Sequence, residues 1–160
     1  MKYRRLRTDE LIELESEFTR FLASQAIPAS EWESIKSNRP DQADELIDIF
    51  SDMVFEQILN KVEYLELKGA KDLKTIHCLP EKMVMLGILI EGNTSFNLTQ
   101  DLSPEQMIQQ IHLTGAKVKL YSAEKAYDKE RPVEIFDWME RGALISKDGH
   151  LFKTLDALKG

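Results

Sequence analysis

At 160 residues, 42% apolar and 31% charged, the chain can bury one self-sufficient core and is neither disordered nor of low complexity. Its net charge of −7, from 28 acids against 21 bases, disfavours nucleic-acid phosphate and anionic membrane, because both are held by clustered Lys and Arg. The longest apolar run, Met83 to Ile90, falls far short of the roughly 20 residues of a membrane span, and a single cysteine, Cys78, excludes an internal disulfide and fits a reducing, cytoplasmic setting.

The charge is unevenly spread. Residues 1–8 form a basic arm carrying Lys2, Arg4, Arg5 and Arg7. Residues 9–61 form an acidic helical segment, and residues 62–160 an almost neutral α+β portion, all within one expected domain spanning 1–160. Thr8-Asp9-Glu10 stands where a signal peptide would need an apolar stretch, so no leader is expected. Thr8 is the expected N-cap of a first helix, with Asp9 and Glu10 in its first turn. Leu11, Leu14, Phe18, Phe21 and Leu22 give that helix an apolar stripe, and Ile27-Pro28 ends it. Ser30 with Glu33 reads as a capping box opening a short helix that stops before Pro40. Pro40 suits the first position of a third helix running to about Lys61. Leu46, Ile47, Phe50, Met53, Val54, Gln57 and Ile58 form its inward side.

From Val62 the period changes. Strands are expected at Val62–Lys68, Leu73–Leu79 and Lys82–Glu91, the last almost continuously apolar and therefore central. Gly92-Asn93 reads as a turn, and Phe96–Thr99 as a short fourth strand. Asn93-Thr94-Ser95 and Asn97-Leu98-Thr99 match the N-glycosylation pattern, a chance match without secretion. Ser103-Pro104-Glu105-Gln106 caps a helix that Gly115 ends. Val118–Ala123 or beyond reads as a strand, and Arg131-Pro132 opens a last helix closed by Gly142. Asp148-Gly149, between Ala143–Lys147 and His150–Thr154, signals a C-terminal β-hairpin. Helices first, then a strand meander, predict an α+β fold: an N-terminal helical segment packed on a mainly antiparallel sheet, with further helices and the hairpin.

No stretch carries a catalytic or cofactor signature. Carboxylates three apart, as in Glu45-Leu46-Ile47-Asp48, suit Mg²⁺, and Glu45, Asp48 and Asp52 would be its ligands. At 100° per residue, however, Asp41, Asp44, Glu45, Asp48, Asp52 and Glu56 fall on the side opposite the apolar stripe, where solvation explains them. No metal or cofactor is therefore expected. His77 and Cys78 are strand neighbours pointing to opposite faces, which argues against a thiolate–imidazole pair. His112 and His150 have no ligand spacing. The arm could contact RNA or an acidic partner through Lys2, Arg4, Arg5 and Arg7, or fold back on the adjacent acids. Trp32, Phe55 and Trp138 lie at the edge of their helices' apolar stripes and are candidates for an exposed protein-binding surface.

The run Met1-Lys2-Tyr3-Arg4-Arg5-Leu6 before an acidic helix, with Ile49-Phe50-Ser51-Asp52-Met53-Val54-Phe55-Glu56, resembles a family of short, uncharacterised bacterial proteins, a domain of unknown function. The resemblance implies a bacterial cytosolic setting, no known reaction and no functional residue. The expected function is a non-catalytic interaction or regulatory protein with a protein partner, a homodimer included, and not a membrane protein. One alternative is a small-molecule binder or hydrolase whose site is assembled across the sheet. The other is weak nucleic-acid binding through the basic arm.

Overall fold

The computed structural model describes residues 1–92 and 96–159. The chain forms two compact units, Met1–Asn60 and Lys61–Gly160. Among the described residues there are seven helices and a five-stranded antiparallel sheet, an α+β fold with its helices leading. None of these helices is long and apolar enough to cross a membrane.

Unit 1 holds the arm, α1 (Thr8–Glu13), α2 (Glu15–Ser24), α3 (Ala29–Asn38) and most of α4 (Pro40–Lys61). The single first helix expected from Thr8 is two helices. Leu14 N–H is shared between the carbonyls of Glu10 and Leu11, and this irregular turn separates them. The cap of α1 is Arg7 rather than Thr8, with the Glu10 carboxylate accepting from the Arg7 backbone N–H at 2.8 Å. Likewise the cap of α3 is Pro28, two residues before the expected cap at Ser30. α4 has the expected bounds, with Pro40 first, where a missing N–H costs nothing. Phe18, Phe21 and Phe50 pack ring to ring, with centroids 5.0–6.1 Å apart, and Phe50 and Ile35 are fully enclosed.

Unit 2 is built on strands β1 (Tyr64–Lys68), β2 (Asp72–Cys78), β3 (Lys82–Glu91), β4 (Lys117–Ala126) and β5 (Leu144–Ser146), in the order β4-β3-β2-β1-β5. Every neighbouring pair is antiparallel. One sheet face carries Leu73, Leu86, Ile88 and Ile90 and packs with residues of α5 (Pro104–Thr114) and α7 (His150–Lys159) into a core cluster. The cap of α5 is as expected: Ser103 Oγ accepts from Gln106 N–H, and Gly115 closes the helix at φ 65°. α6 (Arg131–Glu140) follows β4.

Two expectations fail here. Phe96–Thr99 is not a strand. The Asn97 carboxamide oxygen accepts from Thr99 N–H at 2.8 Å, a local turn that competes with sheet pairing, while Phe96 and Leu98 plug the core. The C-terminal hairpin is absent, and His150–Lys159 is α7. Leu151, Phe152 and Leu155 fit a helical stripe, and the Asp148 carboxylate accepts from His150 N–H at 3.1 Å, so Asp148-Gly149 starts a helix instead of reversing a strand. The Gly92-Asn93 turn and the Asn93-Thr94-Ser95 pattern involve residues outside those described.

Candidate functional site

Within unit 1 the arm lies along the carboxylate side of α4. Asp52 accepts the backbone N–H groups of Lys2 at 2.7 Å and Tyr3 at 3.0 Å. Tyr3 hydroxyl donates to Glu56, and Lys2 Nζ stands 3.4 Å from the same carboxylate. Arg5 reaches Asp48 at 2.6 Å and Asp44 at 3.6 Å. Leu6, buried, donates its N–H to Ser51 Oγ at 2.9 Å, and that hydroxyl donates back to Ile47 O. Arg4 grips Glu10 at 2.8 Å, which with the help of Arg7 holds that carboxyl down to about 2.

The four arm cations therefore engage the chain's own acids. Of the Mg²⁺ candidates, Asp48 is taken by Arg5 and Asp52 by two backbone donors, while Glu45 is exposed. Among the described residues no group of three or more His, Cys, Asp or Glu is placed to hold a metal ion. Phe55, expected at the surface, is 6% exposed, because Tyr3 and Arg4 cover its ring. Trp32 is half-buried, its ring meeting that of Phe18 edge-on at 5.1 Å.

The remaining tryptophan, Trp138, leads to a different kind of site, in unit 2. Sheet register builds it. Ile76 pairs with Met85, and Met85 with Ala123, so these three form one row across β2, β3 and β4. The next row sets Cys78 beside Met83 and Met83 beside Lys125. Alternation of side chains puts both rows on the face opposite the core cluster. On α6, Glu134, Asp137, Trp138 and Arg141 at its end recur at intervals of three and four, hence on one helical face.

These elements enclose a cavity of about 400 Å³, floored by Ile76, Met83, Met85 and Ala123 and walled by Trp138 and the charged residues. Arg131 fixes the start of α6 by donating to the carbonyls of Cys78 at 2.9 Å, Leu79 and Val62. Tyr127 hydroxyl adds a bond to Leu79 O at 2.7 Å.

The charged rim is ordered. Glu134, 6% exposed, accepts from Lys125 Nζ and from Lys129 N–H. Lys129 Nζ reaches Asp137 at 3.1 Å. One row further along the sheet, Tyr121 crosses the bare backbone of Gly87 and donates to Asp72 at 2.7 Å, and Lys74 donates to the same carboxylate. Burial raises the Asp72 carboxyl, but these two hydrogen bonds outweigh it and hold the group below its ordinary value. Cys78 shares the cleft's sheet face but is buried, and that burial pushes its thiol up to about 12. His77 points the other way, stacked on Tyr64 at 4.4 Å, and burial lowers it.

Of the cleft residues, Trp138 alone is a candidate from the sequence. The spacing of Glu134, Asp137, Trp138 and Arg141 was the available signal; the strand rows needed the register. No curated protein and no solved structure matches the chain. Its residues 1–160 match the model of a family of unknown function (DUF6495), and to that family the chain belongs.

Proposed function

We propose that this protein is a non-catalytic binding protein whose cleft between β2–β4 and α6 takes a small amphipathic molecule. The observation that carries this reading is the cavity of about 400 Å³ with an apolar floor and an ionic rim. Its volume lies in the usual range for small-molecule sites, where an apolar surface buries the ligand's body and a few polar groups orient it. Binding is favoured over turnover because the described lining holds no Ser, Thr, Cys or His, and its rim carboxylates already engage cations. The bacterial cytoplasm is the setting we assign, on the family resemblance and the single cysteine. Ala123→Leu tests the site, since the larger side chain fills the cleft from an exposed strand position with little risk to the core. Small amphipathic molecules should raise the melting temperature of the native chain and not of this variant. Equal rises in both would place the binding elsewhere.

A second reading, a protein-interaction role with a homodimer as its simplest form, has its own observation. Unit 1 carries a groove of about 450 Å³ that includes Leu14, Phe21, Phe50, Met53, Val54 and Ile58. On the same helix Ile49 and Met53, one turn apart, are 49% and 42% exposed. Met53→Glu should shift sedimentation towards monomer if this groove joins two copies. A monomer at every loading concentration argues against the dimer.

A further inference from the structure

Four carboxylates along the rim of the cleft are met by three lysines, of which Lys125 serves two and Lys82 stands outside the lining. Glu134 is held by Lys125, Asp128 also by Lys125 at 3.3 Å, Asp137 by Lys129, and Glu124 by Lys82 at 3.0 Å. Each of these four carboxylates has a cation. Arg141 is the rim cation that stands outside this network. Among the described residues its guanidinium has no carboxylate partner and lies over the Trp138 ring, 4.8 Å from the centroid.

We propose that the ligand is an organic monocarboxylate with an aromatic body, its carboxylate held by Arg141 and its ring seated against Met83, Met85 and Trp138. This rests on the ligand-cleft reading above and names its ligand class. The guanidinium fork matches a carboxylate through two parallel N–H donors, a geometry an ammonium cannot offer. Stacking on Trp138 steadies the Arg141 head by a cation–π contact and leaves its N–H edge open. A cationic ligand would find the rim acids already engaged. The ring is assigned from the floor: the thioethers of Met83 and Met85 make favourable contacts with aromatic edges, and the Trp138 indole offers a further aromatic surface.

The probes are 3-phenylpropionate, 3-phenylpropan-1-ol and 3-phenylpropylamine, which share a body and differ in the end group. Trp32→Phe in the full chain leaves Trp138 as the single tryptophan, so its fluorescence reports the cleft. The acid should bind about tenfold more tightly than the alcohol, as expected for one charge-assisted pair near the surface, and the amine more weakly than either. Arg141→Gln should remove the acid's advantage and leave the alcohol's affinity unchanged. Equal binding of all three probes, abolished by Ala123→Leu, would overturn the carboxylate assignment while the cleft reading stood. An acid preference that survives Arg141→Gln would also overturn the assignment. Absence of binding by every probe would sink both.

Discussion

Unit 1 and unit 2 use charge in different ways. In unit 1 the basic arm and the carboxylate side of α4 meet along one helix, and Lys2, Arg4, Arg5 and Arg7 all engage nearby acids. Those pairs lie at the surface, and Arg4, with Tyr3, covers Phe55. In unit 2 the ion pairs ring an apolar floor, one carboxylate is buried, and among the described residues one guanidinium has no carboxylate partner. Density of charge is therefore a poor guide to a site. Among the 13 acids that stand against three bases in residues 9–60, Asp9, Glu10, Asp44, Asp48, Asp52 and Glu56 already meet the chain's own arm. The sparser rim of unit 2 surrounds a space that a ligand can fill.

The sharpest way to break the unit 2 half of this comparison is Gly87→Ala. An added Cβ would sit 2.2 Å from Tyr121 Cζ, so the ring must move and give up its hydrogen bond to Asp72. We expect a loss of about 1–3 kcal/mol in chemical unfolding, the usual range for overpacking with a lost polar contact. In a Tyr121→Ala background the same glycine substitution should cost far less. An equal cost in both backgrounds would show that the tyrosine crossing is not what requires the glycine.

Local signals made much of the fold legible. Pro40 set the start of α4, the apolar run Lys82–Glu91 set β3, and Ser103 with Gln106 set α5. Of the expected inward side of α4, Leu46, Phe50 and Val54 are buried, but Met53, Gln57 and Ile58 are exposed and Phe55 and Leu59 are buried in their stead. The C-terminus misled because Asp-Gly serves two purposes. A glycine at positive φ can turn a hairpin or lead into a helix, and the stripe Leu151, Phe152, Leu155 decides for the helix. The cleft was illegible for a different reason. Ile76, Met85 and Ala123 become neighbours only through strand register, which no single segment encodes. The arm's destination was partly legible from charge alone. Its cover over Phe55 was not, because that depends on where Tyr3 and Arg4 land.

The two units also end helices differently, which gives a smaller effect of opposite sign in each. α2 closes with Ile27 N–H donating to Leu22 O and Ala26 N–H to Ala23 O, a Schellman arrangement that places Ala26 at φ 59°. α5 closes with Gly115 at φ 65°. The left-handed conformation strains a residue with a Cβ and not a glycine. Ala26→Gly should therefore stabilise the chain by about 0.5 kcal/mol, after the extra unfolded-state entropy of glycine is subtracted. Gly115→Ala should destabilise it by about 1 kcal/mol. Melting curves that shift in the same direction for both would contradict the assignment of Ala26 to this conformation.

The smallest expected effect concerns the arm and is read best through pH. Glu10 sits at the junction of arm and helix, its carboxyl held down to about 2 chiefly by the Arg4 hydrogen bond, then by the Arg7 backbone and by charge. In the unfolded chain it should titrate near its ordinary value of 4.5. The folded form thus favours the ionised group. Its stabilisation is complete above pH about 4.5 and is lost as pH falls towards 2. Because the site is open to solvent and to salt, that contribution is discounted to about 0.2–1 kcal/mol. In Glu10→Gln the loss of stability between pH 4.5 and 2 should be shallower than in the native chain by that amount. The difference should shrink in 1 M salt, where screening acts within about 3 Å. Superimposable pH profiles at low salt would mean that the arm's contact with Glu10 does not persist in solution, and the contrast between the two units would lose its unit 1 half.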